Sequence, residues 1–417
     1  MKVWILQTGE PLHIDKGNLR AMRAINLANA LTARGHEVTL WTSDFDHFNK
    51  SHRYGKETHL KYSELLEIKL IPSCGYKSNV GINRLIDHAQ LGRNLKRMLK
   101  NSPIPDVAFV GYPPIEPAWV LTRYLRERNC PVVLDVKDAW PDVLLRGFPT
   151  KLKWLAQILL APYFILMKDT FKRASYLSSI SPAFLTWAQE IANRKPRDLD
   201  KVNFLASSKV SNSEKDLINS SNFLDSLNIV DDGRFRVSYI GSLTHTLNFE
   251  PVIEAAKNSE VQFVIAGDGS ASSFFRDRAQ GQENIIFTGW ISTTHAEILA
   301  KRSTILLAPY ADLEDFELSL PNKFLDAFAH AKPIISSIDG YSRNFIEKEK
   351  VGIYYSNTIS NSLTRELLNL QKDQNLVHAM SIAAGALYEK ELSGEIVYKE
   401  LVRNLEYVCE RSTWNSE

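Results

Sequence analysis

Short apolar runs alternate along the chain with longer stretches in which apolar residues recur every three or four positions. Val3–Leu6 predicts a buried strand, and Asn18–Arg34 has the spacing of an amphipathic helix that ends at Gly35. Val38–Trp41 is the next predicted strand. The alternation continues in helices near 84–100 and 115–128 and in strands Val107–Val110 and Val132–Val136. Such alternation predicts a parallel sheet covered by helices on both faces.

The second half of the chain repeats this pattern. Its predicted elements are the strands Phe235–Ile240, Gln262–Ala266, Ile285–Thr288, Thr304–Ala308 and Pro333–Ser336, with a helix at Glu250–Ala256. A polar stretch at about 193–233 separates the halves and is typical of a linker or surface insertion. Two successive halves predict two sheet domains with a cleft between them. Open α/β sheets bind ligands at the carboxyl ends of their strands, so we expect the site there.

Composition narrows the class of protein. With 417 residues, 44% hydrophobic and 24% charged, the chain is long enough for two or three domains and a large core. A net charge of +2 gives no support for a nucleic-acid partner. Cys74, Cys130 and Cys409 are odd in number and far apart, which excludes a disulfide framework and a zinc site and fits a reducing compartment. We expect neither a signal peptide nor a membrane span, and therefore a cytoplasmic protein.

Glycine follows three predicted strands of the second half. The loops are Gly241-Ser242-Leu243, Gly267-Asp268-Gly269 and Gly289-Trp290. Glycine lets backbone N–H groups approach a ligand closely, but glycine at such a turn is also common without any ligand. Both interpretations stay open for each loop alone, and three loops in succession favour a binding site.

The segment LSLPNKFLDAFAHAKPII, residues 318–335, has a cation and a carboxylate at the start of an apolar helix. Pro321 suits the first helical turn, and the free amides of residues 322–324 would form an anion site to which Lys323 adds a full charge. Asp326 lies one turn further and reaches toward the same end. A phosphate beside a polyol would satisfy both groups. The alternative is a solvated lysine and an aspartate favoured by the helix dipole.

The order of these motifs, Gly-x-Leu, GDG, FTGW and PNKFLDAFAHAKPII, resembles the C-terminal half of GT-B glycosyltransferases of the large retaining family 4. The segments GEPLHIDKGNLRAMRAINLANALTARGHEVTLWTSDFDH and PVVLDVKDAWPD resemble the bacterial branch that builds O-antigen and capsule repeat units. The resemblance covers nearly the whole chain. It implies an α/β fold of the GT-B type, two Rossmann-like domains whose parallel sheets face each other across a cleft. The implied domains are 1–205 for the acceptor, 206–394 for the nucleotide-sugar, and a helix at 395–417 that packs back on the first domain.

By this resemblance the second domain holds a nucleotide-sugar, usually a UDP-sugar, as substrate, with no cofactor and no metal. Asp326 matches the second carboxylate of an E-x7-E pattern that grips the ribose hydroxyls. The backbone of Trp290 would meet the base, and Gly241 would lie under the diphosphate. The implied donor-binding residues are Gly17, Asn18, Gly241, Ser242, Gly267, Asp268, Trp290, Ser319, Leu320, Pro321, Asn322 and Asp326.

Two positions depart from the family pattern. Leu318 stands where the first acid of E-x7-E is expected, with Glu317 beside it, and Ser242 stands where the family has an arginine. Another group must then balance the negative charge of the leaving diphosphate. Lys323 is the natural substitute, and we predict that it is catalytic.

The loop after the first strand is expected to close over the sugar and phosphates. It carries Glu10 and His13, and Gly17 with Asn18 is predicted to open the next helix and give amides to the diphosphate. His13 serves the acceptor or is a solvated loop residue. His88 is equally open between a core position and the acceptor side.

Lys137 and Asp138 follow the strand Val132–Val136, where many family members have a His-Asp pair. The resemblance implies front-face attack, in which the leaving phosphate takes the acceptor proton and no protein nucleophile is needed. Lys137 would stabilise charge on the phosphate or orient the acceptor, and Asp138 would hold the acceptor hydroxyl or anchor Lys137. The alternative for Asp138 is a structural residue at the start of a helix ahead of Trp140-Pro141.

Residues 151–173 combine an apolar core, Trp154–Met167, with lysines at both ends. The stretch is too short to span a bilayer. It is either a buried helical pair broken at Pro162 or an interfacial element drawn to an anionic membrane surface. The second interpretation places a cytoplasmic enzyme at the inner face of the cell membrane.

The residues and the resemblance together predict a retaining, metal-independent glycosyltransferase that moves a sugar from a UDP-sugar to a lipid-linked or growing glycan. Two rival functions stay open. A GT-B sugar-nucleotide epimerase would need no acceptor surface, and a non-catalytic GT-B protein would bind nucleotide as a scaffold. The departures at Leu318 and Ser242 keep the scaffold open.

Overall fold

The chain folds into two compact units. A computed structural model describes residues 1–15, 20–79, 81–145, 148–206 and 213–414. Unit 1 consists of Met1–Ser208 and Gly394–Glu417, and unit 2 consists of Lys209–Ser393. The boundaries proposed from the sequence lie at 205/206 and 394/395.

Unit 1 is built on an eight-stranded sheet. The strands are β1 (Lys2–Leu6), β2 (Glu37–Ser43), β3 (Phe45–Asp46), β4 (Ser51–His52), β5 (Thr58–Lys61), β6 (Leu66–Ile71), β7 (Val107–Tyr112), β8 (Val132–Val136), β9 (Tyr176–Ser179) and β10 (Lys201–Val202). The helices are α1 (Arg23–Ala33), α2 (Ile82–Leu99), α3 (Ile115–Arg126), α4 (Asp142–Leu145), α5 (Lys153–Arg173) and α6 (Pro182–Ala192), with a 3-10 turn at Thr150–Leu152. The sheet order is β10-β9-β8-β7-β1-β2-β6-β5, parallel except for β5 against β6, and β3 pairs with β4 separately.

The strand order of unit 1 reverses at β1. The chain continues from β1 to β2 and β6 on one side, and β7, β8, β9 and β10 lie on the other. Apolar residues alternate between the two faces, so that Trp4 and Leu6 lie in one core cluster while Val3 and Ile5 lie in the other. The reversal leaves a crevice at the carboxyl ends of β1 and β7, which is where an open sheet binds ligands.

Unit 2 is built on six parallel strands in the order β13-β12-β11-β14-β15-β16. The strands are β11 (Arg236–Ile240), β12 (Gln262–Ala266), β13 (Ile285–Gly289), β14 (Ile305–Ala308), β15 (Ile334–Ser336) and β16 (Gly352–Tyr354). The helices are α7 (Glu214–Ser226), α8 (Glu250–Lys257), α9 (Ser272–Arg278), α10 (Thr293–Arg302), α11 (Glu314–Glu317), α12 (Asn322–Ala329), α13 (Tyr341–Lys348), α14 (Ser362–Lys372) and α15 (Gln374–Leu387), followed by a π turn at Tyr388–Leu392. This order reverses between β11 and β14.

The helix α16 (Gly394–Trp414) returns to unit 1. Leu401, Leu405 and Val408 are buried in the core cluster that also contains Ile25 and Leu31 of α1. Unit 1 is therefore assembled from two segments that are separated in the chain by the whole of unit 2.

The first helix begins later than its apolar spacing predicts. α1 begins at Arg23 rather than at Asn18, because residues 20–22 are not helical. In its first turn the amide of Ala24 donates to the Oε2 atom of Glu10 at 2.9 Å. A carboxylate from the preceding loop thus satisfies one of the open amides at this helix end.

The polar stretch 193–233 contains regular structure, and its prediction as a linker is wrong for two segments. β10 pairs with β9, and α7 follows at Glu214–Ser226. The Ser213 side chain caps α7 by accepting from the amide of Asp216, and Leu224 is buried in a core cluster with Val264. Composition alone missed α7 because few of its residues are apolar.

The helix α5 runs unbroken through Pro162, so the alternative of a helical pair broken there is wrong. Leu160 and Met167, on either side of the proline, are both buried. The opposite side carries the apolar face of α5, formed by the exposed residues Trp154 (60%), Leu155 (41%), Ile158 (61%), Leu159 (63%) and Ile165 (66%). The exposed lysines at its two ends are Lys151, Lys153, Lys168 and Lys172. No helix in the described part of the chain has the length and hydropathy to cross a membrane.

Candidate functional site

In unit 2 a lysine reaches the point where the strand order reverses. The Nζ atom of Lys323 donates to the carbonyl oxygen of Ile240, the last residue of β11, at 2.7 Å. The same Nζ lies 4.2 Å from the ring centroid of Tyr239. A ligand of an open α/β sheet binds at such a point.

The Lys323 amine is closely enclosed. A Cβ atom added to Gly241 would lie 2.0 Å from Nζ, so a side chain there would displace the amine. Burial lowers the pKa of Lys323 to about 8, and the nearby charge of Asp326 opposes that shift. The amine therefore stays largely protonated near neutral pH, with little water to screen its charge.

The helix α12 begins at Asn322, and Pro321 is the extended residue just before it rather than its first helical residue. The amide of Phe324 donates to the carbonyl of Pro321 at 3.0 Å, which corrects the expectation that this amide is free. Asp326 lies one turn into the helix, where its charge opposes the lowering of the Lys323 pKa by burial and adds to the burial that raises the pKa of Tyr310. The structure thus brings Lys323 and Asp326 together, as the apolar helix with its two charges predicted.

The glycine loops of unit 2 pack on one another. The amide of Gly241 donates to Ala266 at 2.9 Å, and that of Gly267 donates to Gly289 at 2.8 Å. A Cβ atom on Gly267 would lie 1.9 Å from the carbonyl oxygen of Gly241. These glycines therefore have a packing role whatever they bind, and the amides of Gly241 and Gly267 are already used.

The carboxylate of Asp268 accepts hydrogen bonds within its own loop. Its Oδ1 atom accepts from the amide of Gly269 at 2.7 Å and from Ser272 Oγ at 2.5 Å. The Ser272 hydrogen bond, followed by that of Gly269, lowers the pKa of Asp268. The carboxylate therefore fixes the turn into α9. The sequence predicted Asp268 only as a donor-binding residue and did not predict this structural role.

The remaining donor candidates differ in exposure. Trp290 is 76% exposed, and Ser242 is exposed while its carbonyl oxygen accepts from the Tyr239 hydroxyl at 2.6 Å. Ser319 and Leu320 are buried, so that their side chains belong to the interior of unit 2. Of the other predicted donor residues, Pro321 is half-buried and Asn322 is exposed. At the position that departs from the family pattern, Leu318 is half-buried, and Glu317 beside it is exposed.

In unit 1 a buried carboxylate connects three elements. Glu10 accepts from Lys137 Nζ through Oε1 at 3.0 Å and from the amide of Ala24 through Oε2 at 2.9 Å. It thereby joins the loop after β1, the start of α1 and the end of β8. The sequence suggests Glu10 and Lys137 separately, but their pairing across 127 positions is a property of the fold.

A cavity of about 250 Å³ lies at the crevice of unit 1. Glu10, His88, Lys137 and Asp138 all line it. His88 is 4% exposed, and in the described part of the chain neither ring nitrogen has a hydrogen-bond partner. Burial, followed by the charge of Arg84, lowers the pKa of His88 to about 3, so the imidazole is neutral. His88 is thus a buried residue that also lines the cavity, and its place on the acceptor side stays a prediction.

His13 is a candidate of unit 1 that lies apart from this group. His13 does not line the cavity, and its ring stacks on Tyr62 with 4.6 Å between centroids. Gly17 and Asn18 lie outside the described residues. The structural alternative for Asp138 required a position at the start of a helix. Asp138 lies four positions before α4, so it is not at the start of that helix.

Several residues at these sites escaped the sequence analysis. Tyr239 and Tyr310 flank Lys323 and Asp326, and Arg23 pairs with Asp135 in the interior of unit 1 at 2.6 Å between Nε and Oδ2. The only sequence signal for Tyr239, Tyr310 and Asp135 is their place at or near strand ends, and Arg23 is the first residue of α1. No group of acidic, histidine or cysteine side chains in the described residues has the arrangement of a metal site.

Residues 233–373 match the family described as Glycosyl transferases group 1. This chain is a glycosyltransferase. The matched segment contains the three glycine loops, Lys323 and Asp326, which confirms the predicted enzyme class. No curated protein sequence matches the chain.

Solved structures of glycosyltransferases resemble the whole length of the glycosyltransferase described here. Sucrose-phosphate synthase from Thermosynechococcus elongatus superimposes with a TM-score of 0.72 at 12% identity, covering 100% of both chains. HepE from Anabaena, in complex with UDP and glucose, gives 0.66 at 14% identity over 98% of this chain and 100% of its own. WaaG, a glycosyltransferase involved in lipopolysaccharide biosynthesis, gives 0.62 at 13% identity over 97% of this chain and 99% of its own. This likeness confirms the predicted α/β GT-B fold with two Rossmann-like domains.

Proposed function

We propose that this glycosyltransferase moves a sugar from a UDP-sugar to a lipid-linked or growing glycan, with retention of configuration and without a bound metal, in bacterial surface polysaccharide synthesis. The observation that carries the proposal is the enclosed ammonium of Lys323 at the strand reversal of unit 2, beside Asp326. A UDP donor is supported by HepE, which binds UDP and glucose, and the polysaccharide role by WaaG.

Lys323 supplies the positive charge that the leaving diphosphate needs. A preorganised cation in a site with little water stabilises developing negative charge more strongly than solvent does. Asp326 holds donor hydroxyls as a hydrogen-bond acceptor. On the acceptor side Glu10 fixes Lys137 at 3.0 Å beside Asp138, so that Lys137 orients the acceptor. The departing phosphate takes the proton of the acceptor hydroxyl.

The test is binding and turnover with and without the Lys323 charge. UDP and UDP-sugars should raise the midpoint of thermal unfolding of the wild type, since ligands that bind only the native state stabilise it by mass action. Lys323→Ala should weaken that shift and lower UDP release by about a hundredfold or more, as loss of one such group commonly does. Lys257→Ala, an exposed lysine on α8, is the matched control.

Three results would count against the proposal. UDP release from Lys323→Ala at the wild-type rate would remove Lys323 from the mechanism. Turnover abolished by EDTA would contradict the metal-free reaction. A product that is an isomeric UDP-sugar, formed without any acceptor, would favour the epimerase.

The apolar face of α5 supports a position at an anionic membrane. Ile158, Leu159 and Ile165 are each more than 60% exposed on one side of the helix. Isolated exposed apolar residues are ordinary, but a continuous patch flanked by lysines fits an interfacial element drawn to anionic lipid. We infer that this face meets the membrane that carries the acceptor.

Flotation with vesicles tests this part of the proposal. The chain should float with phosphatidylglycerol vesicles and less with phosphatidylcholine vesicles. Ile158→Ser with Leu159→Ser should abolish flotation, whereas Ile382→Ser, a residue 60% exposed on α15, should not. Equal flotation of all variants would show that the face of α5 is not the contact.

A further inference from the structure

Two cations lie close together beside the cavity of unit 1. Lys50 Nζ donates to the side-chain oxygen of Asn79 at 2.5 Å, and Arg84 Nη1 donates to the backbone oxygen of the same residue at 2.7 Å. Both cations also approach the ring of Tyr76, Lys50 at 4.8 Å and Arg84 at 5.6 Å from its centroid. Lys50, Asn79, Tyr76 and Arg84 are hereafter the basic cluster.

Among the described residues, neither cation of the basic cluster has an ion-pair partner. In the part of the chain that the structure describes, no carboxylate forms a salt bridge with Lys50 or Arg84. Arg84 Nε is buried and has no hydrogen-bond partner there. An unpaired, partly buried cation with an open donor is costly unless an anion completes it.

The nearby carboxylates of Asp46 and Asp87 accept hydrogen bonds from other groups. Asp46 accepts from the amides of Phe48 and Asn49 at 2.8 and 3.1 Å and from the Asn49 side chain at 2.8 Å. Asp87 accepts from the amide of Gly75 at 2.6 Å. Their oxygens therefore hold neighbouring groups in place, and the charge of Asp46 offsets only part of the burial and repulsion that lower the pKa of Lys50.

The guanidinium of Arg84 is held in position for binding. It lies 4.9 Å from the ring centroid of Trp140 as well as 5.6 Å from that of Tyr76, so aromatic rings fix its plane. A planar guanidinium with open N–H groups matches the oxygens of a phosphate, and a lysine ammonium beside it adds charge.

The charges of the basic cluster act on the neighbouring His47. Burial, followed by the charges of Lys50 and Arg84, lowers the pKa of His47 to about 4. His47 is therefore neutral, and its Nδ1 atom accepts from the Tyr76 hydroxyl at 2.6 Å. His47, Tyr76 and Arg84 all line the cavity that also contains His88 and Asp138.

We propose that Lys50 and Arg84 form a subsite for a phosphate or diphosphate group at the edge of the unit 1 cavity. The assignment of that group to the acceptor rests on the proposed function, whereas binding of the anion does not. The acceptor is then a phosphorylated glycan, either carried on a lipid diphosphate or free in solution, and its phosphate fixes the position of the sugar that reacts.

Calorimetric titration with inorganic pyrophosphate tests the subsite. We expect Lys50→Gln and Arg84→Gln each to raise the Kd about tenfold or more, the effect of losing one hydrogen bond to a charged group. Arg84→Lys should retain part of the affinity because it keeps the charge. Arg93→Gln, an exposed arginine on the same helix α2, is the matched control and should stay within about twofold.

The design separates the subsite from the donor site and from loss of folding. Lys50 lies in the turn between β3 and β4 and stacks less than Arg84, so its variant tests the subsite even if Arg84→Gln does not fold. Affinity that is unchanged in Lys50→Gln, or lost in Lys323→Ala instead, would overturn the subsite. UDP release by water needs no acceptor, so it tests the proposed function independently.

A second titration distinguishes the source of the anion. A polyprenyl diphosphate in detergent, with the corresponding polyprenol as its control, represents the lipid-linked acceptor. Binding of the diphosphate that weakens about tenfold in Lys50→Gln supports the subsite with a lipid source. Binding of pyrophosphate alone, equally sensitive to Lys50→Gln, supports the subsite with a soluble phosphorylated acceptor.

Discussion

The amine of Lys323 lies in a confined space where burial lowers its pKa. The carbonyl of Ile240 accepts one of its hydrogen bonds, the ring of Tyr239 lies beside it, and Gly241 closes the space above. The position of this lysine at a helix start was visible in the sequence. Its burial was not, because the strand end that encloses it lies 83 positions earlier.

The first prediction concerns the pH dependence of the reaction. Burial lowers the pKa of Lys323 to about 8, and the proposed role needs the protonated amine. The kcat/KM for the donor, which reports groups of the free enzyme, should therefore fall as the pH rises through about 8. Lys323→Arg keeps its charge at high pH and should not show this fall. A fall at the same pH in Lys323→Arg would assign the titration to another group.

The second prediction concerns Gly267. Its φ of +138° disfavours any side chain, and a Cβ atom would lie 1.9 Å from the oxygen of Gly241. Gly267→Ala should lower the free energy of unfolding by about 2 to 4 kcal/mol in urea titrations, since strained backbone alone costs about 1–3 kcal/mol and the clash adds to it. Gly281→Ala has a φ of +84° but open space, so it serves as the control and should cost about 1 kcal/mol. Equal losses in both variants would show that the close packing of the loops contributes nothing.

Among the elements, strands were easier to predict than helix ends. Val132–Val136 and Gln262–Ala266 were predicted at the bounds that β8 and β12 have, because each is a short run bounded by polar residues and turns. The start of α1 was predicted too early, since Glu10 from a loop decides where its first amides are satisfied. α7 was missed because its polar composition resembles a linker.

The candidate sites divide in the same way. Single residues at strand ends, such as Lys137 and the glycines, and Lys323 at a helix start were predictable from position and resemblance. Their partners were not. The contacts of Glu10 with Lys137 and of Lys50 and Arg84 with Asn79 depend on which loops the sheet brings together.

The third prediction concerns the packing of α3 on α5. Burial raises the pKa of Glu116 on α3 to about 7, while a backbone hydrogen bond and then a hydrogen bond with Tyr163 of α5 oppose the shift. A carboxyl whose folded pKa is raised contributes stability below its unfolded pKa of 4.5, and that contribution is lost as the pH rises through about 7. Glu116→Gln should therefore be more stable than wild type at pH 8, by about 1 kcal/mol, because it leaves no buried charge.

Urea titrations from pH 5 to pH 8 measure this effect. The free energy of unfolding of Glu116→Gln should vary less with pH than that of the wild type. Glu190→Gln on α6, an exposed glutamate of the same unit, should leave the wild-type pH dependence intact. A Glu116→Gln curve parallel to that of the wild type would show that this carboxyl does not titrate on folding.

Across the complete chain, the dominant fact is that unit 1 is discontinuous. Val402 and Leu405 of α16 are fully buried among residues of α1 and of the sheet. The helix contributes part of a core whose other residues lie before position 209. Stability of unit 1 therefore depends on residues on both sides of unit 2.

The fourth prediction follows from that dependence. Leu405→Asp should lower the stability of unit 1 by about 3 kcal/mol or more, because it places an unpaired charge in an apolar core. Tyr407→Asp, at a position that is 56% exposed on the same helix, should have little effect. Hydrogen exchange read by mass spectrometry should show faster exchange in β1 and β7 and unchanged exchange in β11 and β12. Faster exchange in unit 2 as well would mean that the two units unfold together.

The return of α16 to unit 1 also sets an order of events during protein synthesis. When the ribosome has made residue 208, the sheet of unit 1 is present but the side of its core that receives α16 is still open. Unit 2 emerges next as one continuous segment and has all its core residues before α16 is made. The unit that is synthesised second can therefore finish folding first, and in the meantime the nascent unit 1 exposes the apolar residues that a chaperone binds.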